Sequence, residues 1–104
     1  METNFELKSS LDGNSLVLCG IGEFDLAAQQ PVLDAAAPAL AQGQTVVLDL
    51  KKVTFIDASA LRTIAVCANT AACSGARFAI RHALGQVSDV LHMTGFTHLM
   101  VQEA

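Results

Sequence analysis

At 104 residues the chain has room for one hydrophobic core and not for two. It is 52% hydrophobic and 15% charged, as expected of a compact soluble domain, and its apolar runs are too short to span a bilayer. Six Lys and Arg against ten Asp and Glu leave a net charge of −4, which excludes the basic surface that a nucleic-acid partner requires. No basic leader precedes an apolar stretch, so a cytoplasmic location is expected.

Phe5-Glu6-Leu7-Lys8-Ser9 alternates apolar and polar residues, Asp12-Gly13-Asn14 signals a tight turn, and Leu16 to Gly20 reads as the second arm of a hairpin. Gly20 to Asp25 reads as a glycine-punctuated loop leading into a helix over residues 26–41, with Val32, Leu33, Ala36, Ala37 and Leu40 on one side. Pro31 suits its early turns, Pro38 should loosen its last turn, and Gly43 stops it. Thr45 to Leu50 reads as a covered strand, followed by a short loop to Asp57. A second helix follows Asp57, with an apolar stripe of Leu61, Ile64, Ala65, Ala68 and Ala72, and Gly75 ends it. Arg77 to Ile80 is the next strand, a third helix covers 86–94 with Val87, Val90 and Leu91 inward and Gly95 as its cap, and His98 to Val101 reads as a last strand. The order ββαβαβαβ predicts an α/β fold over residues 1–104, with a mixed, mostly parallel central sheet and helices packed against it.

Little in the chain carries catalytic chemistry. Cys19, Cys67 and Cys73 lack metal-ligand spacing and read as small, mostly buried thiols; His82, His92 and His98 read as structural. There is no phosphate-binding glycine loop, the Gly20-Ile21-Gly22 segment lacks the third glycine of a dinucleotide fingerprint, and no Gly-x-Ser-x-Gly elbow surrounds Ser59. Neither an enzyme, a metal site nor a cofactor is expected. The segment Val46 to Leu61 is more informative, because it places Asp57 and Ser59 at a helix N-terminus beyond the end of a strand, where free N–H groups and the helix dipole favour negative charge. Asp57 and Asp25 both read as helix N-caps, with a partner contact as the second role. At 100° per residue Ser59 falls about 160° from Leu61, on the side of Arg62, Thr63, Val66 and Thr70, and should face away from the core.

Four stretches of the chain together resemble the STAS domain family, and in particular its small anti-sigma factor antagonists. Leu18 to Leu26 is similar to the family's strand and Gly-Glu-Leu-Asp loop, with Phe24 for Leu. Val46 to Leu61 is similar to its strand followed by Phe-hydrophobic-Asp-Ser-Ser-Gly-Leu. Gly75-Ala76-Arg77-Phe78 resembles the next strand's start, and Val90 to Phe96 resembles a Leu-x-x-x-Gly-Leu signature. The resemblance implies a non-enzymatic interaction module that binds an anti-sigma factor, often itself a serine kinase, and so frees a sigma factor. In such proteins the kinase phosphorylates a serine at the helix N-terminus, and the complex breaks. Here that position is Ala58; the second hydroxyl survives as Ser59, and the motif glycine is Ala60. Three readings stay open: phosphorylation moved to Ser59, an antagonist that is always active, or another STAS role such as the subunit of a lipid-transport ATP-binding-cassette complex, whose partner would be the transporter ATPase. The partner-binding residues that the resemblance implies are Asp25, Asp57, Ala58, Ser59, Arg62, Thr63 and Val66, on a chain expected to be a monomer.

Overall fold

The computed structural model describes residues 4–101, which run as β1 (Phe5–Asp12), β2 (Ser15–Phe24), α1 (Leu26–Ala41), β3 (Val46–Ile56), α2 (Ala58–Ser74), β4 (Phe78–Arg81), α3 (Gly85–Met93) and a 3-10 turn at Thr97–Leu99. β1 and β2 form the expected hairpin, with Gly13-Asn14 between the paired Asp12 and Ser15. β2, β3 and β4 run parallel, so the sheet is mixed, in the order β1-β2-β3-β4. The last strand expected at His98–Val101 does not form. Thr97–Leu99 coils instead, and only Met100 reaches the sheet, through one parallel bridge to Ile80 beside the Val101 N–H donating to the Ile80 carbonyl at 2.7 Å. β4 offers it an edge of only four residues, because His82 turns the chain at a left-handed φ of 61°.

The parallel crossovers from β2 to β3 and from β3 to β4 step in the same direction across the sheet. Right-handed connections therefore place α1 and α2 over the same face, where they pack against each other. Leu18, Leu48 and Ile80 lie side by side in the strand register and share one buried cluster with Val32, Ala36 and Leu40 of α1, Ile64 and Cys67 of α2, and Val87 and Leu91 of α3. Val17, Val47 and Ala79, one residue earlier on each strand, point to the opposite face. Burying a side chain the size of Leu or Ile contributes roughly 1.5–3 kcal/mol, so this single layered core carries most of the stability. α1 keeps its helix through both prolines, and at its end the Gln42 N–H is shared between the carbonyls of Pro38 (3.3 Å) and Ala39 (3.2 Å). At the end of α2, Gly75 sits at φ 70°, and the Ala76 N–H closes onto the Ala71 carbonyl at 2.9 Å.

The buried face of α2 is Ala60, Thr63, Ile64, Cys67 and Ala71, one residue out of phase with the stripe read from sequence. Alanines occupy nearly every side of this helix, so the large Leu61 dominated that reading, yet Leu61 is only half-buried. Thr63 can occupy the core because its hydroxyl donates to the Ser59 carbonyl at 2.9 Å. Cys67 is buried as expected, and burial pushes its thiol up to about 11. Cys19 is half-buried, and Cys73 is exposed rather than buried.

The two expected loops, Gly20 to Asp25 and the segment after Leu50, are in fact the ends of longer strands that pair with each other up to Phe24 and Ile56. Both were hidden in the sequence by bulges. Between Cys19↔Asp49 and Ile21↔Lys52, two residues of β3 oppose Gly20 alone; between Gly22↔Val53 and Glu23↔Phe55, Thr54 is the extra residue. Each bulge has a side-chain bond. The Asp49 carboxylate accepts from the Lys51 N–H at 2.9 Å, and the Thr54 hydroxyl donates to the Gly22 carbonyl at 3.4 Å. Gly22 allows a further close approach, since a Cβ there would lie 1.9 Å from the Asn4 carbonyl oxygen.

Asp49 does more than brace a bulge. Its second oxygen accepts from Arg81 Nε at 3.0 Å and faces His82 Nδ1 at 3.2 Å, which ties β3 to the end of β4 and to the turn beyond it. Burial alone would push the Asp49 carboxyl up, but the Lys51 amide, the Arg81 guanidinium and His82 outweigh it and hold the carboxyl below its ordinary value. A carboxyl held down in the folded state stabilises the fold above its unfolded pKa, and that contribution is lost as pH falls through the folded pKa. Stability measured by urea unfolding should therefore decline below about pH 4. Asp49→Asn should flatten that decline and cost about 2 kcal/mol at neutral pH.

Candidate functional site

Phe24 and Ile56 are register partners on adjacent parallel strands, and both are fully buried. Phe24 is held against Phe5, with ring centroids 5.4 Å apart. The residues that follow, Asp25 and Asp57, therefore leave the sheet side by side. Both are extended, at φ −121° and −125°, and each caps the helix it begins. Asp25 Oδ1 accepts from the Ala27 N–H at 3.0 Å, and Asp57 Oδ1 accepts from the Ala60 N–H at 3.1 Å. Two positive helix ends thus meet at one end of the sheet, each with a carboxylate already upon it.

Along the first turns of α2, Ala58 is exposed, Ser59 is half-buried and Ala60 is fully buried. Arg62 is exposed and Val66 is 44% exposed, so Ala58, Arg62 and Val66 form the outward line of the helix. Thr63, expected on the same side, is 0% exposed and is turned into the core by the phase shift described above. Two apolar side chains that the sequence reading did not assign are exposed near the helix starts in the chain: Phe55, 44% exposed and two residues before Asp57, and Leu26, 69% exposed at the start of α1. Phe55 lies in the very motif the sequence reading used, but a strand read as a loop gave no means of orienting it.

A second residue went unassigned. Gln86, in the first turn of α3, donates from Nε2 to the Ile56 carbonyl and accepts at Oε1 from the Ile56 N–H, both at 3.1 Å. Nothing in sequence marks a polar residue at a helix start as a ligand of a strand thirty positions earlier.

This arrangement is poor in catalytic groups. The Nδ1 atoms of the three histidines face Asp49, Ser88 and the Gly95 carbonyl. Among the described residues no group of three or more His, Cys, Asp or Glu could hold a metal ion, and no helix is long and apolar enough to cross a membrane. What the corner offers is a pair of capped helix ends with exposed apolar side chains nearby in the chain. A phosphate added to Ser59 would bring about −1.5 to −2 charges beside the Asp57 carboxylate and compete with it for the first-turn N–H groups. Asp57→Ala should cost about 1 kcal/mol in denaturant unfolding, with Asp57→Asn recovering most of it.

A family model described as Mlab, STAS domain, matches residues 8–102. No curated protein matches the sequence. Among solved structures, the fold is similar to the unphosphorylated anti-sigma factor antagonist SpoIIAA, at 19% identity and a TM-score of 0.79 over 96% of this chain and 88% of that one. SpoIIAA of Bacillus in its phosphorylated form superposes with a TM-score of 0.74 at 18% identity, over 96% of this chain and 91% of that one. An anti-sigma factor antagonist from Mycobacterium paratuberculosis matches at 18% identity and a TM-score of 0.79, covering 92% of this chain and 82% of that one. A sulfate transporter family protein from Wolinella succinogenes matches at 12% identity and 0.72, over 86% and 73%. With the model spanning nearly all of the described residues and the mixed sheet, paired caps and helix order in place, the chain belongs to the STAS domain family.

Proposed function

We propose that this protein is a non-enzymatic anti-sigma factor antagonist: a monomeric, cytoplasmic STAS domain over residues 1–104 that binds a serine-kinase-type anti-sigma factor and so frees a sigma factor. The docking surface is the corner where α1 and α2 begin. Asp25 and Asp57 hold its backbone, while Ala58, Arg62 and Val66 face outward, with Leu26 and Phe55 as its apolar rim. Ser59 sits partly behind this line. The carrying observation is Ala58, an exposed methyl at the first position of a capped helix where the family motif has its phosphorylated serine. An alanine has no hydroxyl to accept phosphate, so the kinase cannot break the complex there.

Affinity capture from the native cytoplasm, followed by ATP, tests this reading. The wild-type complex should survive ATP, whereas an Ala58→Ser variant should be phosphorylated at that position and dissociate. Dissociation of the wild-type complex with phosphate on Ser59 would place the switch one residue along; Ser59→Glu should then abolish capture and Ser59→Ala keep it. Capture that ignores every change at residue 59 would make the serine part of the helix corner only.

Two observations favour a second reading, in which the chain is the STAS subunit of a lipid-transport ATP-binding-cassette complex. The motif serine is absent, and a sulfate transporter family protein shares the fold. Capture of a transporter ATPase in place of the anti-sigma kinase would decide for it.

A further inference from the structure

β4 ends at Arg81, opposite Asp49, so the rest of β3 runs on past the end of its neighbour. A strand edge of this kind leaves N–H and C=O groups that need partners. At Ile56 both are met by one side chain. The Gln86 amide takes the Ile56 N–H on Oε1 and gives its own N–H to the Ile56 carbonyl, which is the pair of bonds a neighbouring strand would supply. Ile56 is the last residue of β3, and Asp57, the cap of α2, follows it directly.

We infer that Gln86 is a positioning residue for the docking corner: by standing in for a missing strand it fixes Ile56, hence the direction in which Asp57 starts α2, and it couples α3 to the surface that carries Ala58 and Arg62. The inference rests on the docking reading above and adds a residue that itself touches no partner. The chemistry is specific to an amide, since the two Ile56 groups demand one donor and one acceptor on the same planar head. A carboxylate offers acceptors only and sets a charge against the Ile56 carbonyl. A protonated carboxyl regains the donor, so Gln86→Glu is a variant that acid should repair. Gln86→Met keeps the length and removes both bonds.

Amide hydrogen exchange on the full chain provides the first test. In Gln86→Met the N–H groups of Ile56 and Ala60 should exchange about tenfold faster, with Leu18 and Val32 unchanged. In Gln86→Glu the same two amides should lose protection at neutral pH and recover it, relative to wild type at the same pH, as the new carboxyl is protonated. No change at Ile56 and Ala60, equal acceleration throughout the core, or no recovery in acid would each overturn the inference. The second test is affinity for the captured anti-sigma kinase, which Gln86→Met should weaken about tenfold. Faster exchange with unaltered affinity would overturn the positioning role. A wild-type chain that captures no anti-sigma kinase overturns the docking reading and the positioning role together, and the exchange result separates that failure from a clamp that never held.

Discussion

The geometry of this domain depends on the bonds made by one nearly buried carboxylate. Asp49 braces a bulge in its own strand through Lys51, holds the end of β4 through Arg81, and faces His82 where that residue bends the chain with a positive φ. These three tasks are linked. Without the bulge, β3 would continue in flat register with β2, and its last residues would aim elsewhere. Without the turn at His82, the chain would not leave the sheet in time for α3 to come alongside the free part of β3. An ion pair at a surface is worth little, but a carboxylate this buried, with three donors on two oxygens, is a different case.

Much of the fold was legible in the sequence, because the patterns that made it so are local. The hairpin announces itself through Asp12-Gly13-Asn14, α1 through the spacing of Val32, Ala36 and Leu40, and the helix ends through Gly43, Gly75 and Gly95. What was not legible depended on pairing at a distance. Lys51, Lys52 and Thr54 are polar residues in a strand whose sheet partner is interrupted by Gly20 and Gly22, so the alternation that would identify a strand is broken twice. His98 to Val101 has the composition of a strand, but composition cannot show that the edge it would join is four residues long.

The two caps of the corner were legible, while the helix that starts there was read partly in the wrong orientation. Its caps could be assigned from residue type, since an aspartate before a run of small residues has few other uses there. Thr63 could not. Its burial is decided by a bond to a main-chain carbonyl one turn back, which converts a polar side chain into an acceptable core residue and shifts the helix face by one position. Gln86 was missed for a related reason: its partner is backbone, and backbone carries no signature in a sequence.

The paired caps have an electrostatic consequence. α1 and α2 start at the same end of the sheet, and each presents there the equivalent of roughly half a positive charge. Asp25 and Asp57 stand on those two ends, and the full charge of each carboxylate outweighs the half-charge of the dipole beneath it. The exposed Arg62 stands near them, so the corner carries charges of both signs in a molecule whose overall charge is −4. Each helix end therefore has little attraction left for an incoming anion, and the methyl of Ala58 asks for none.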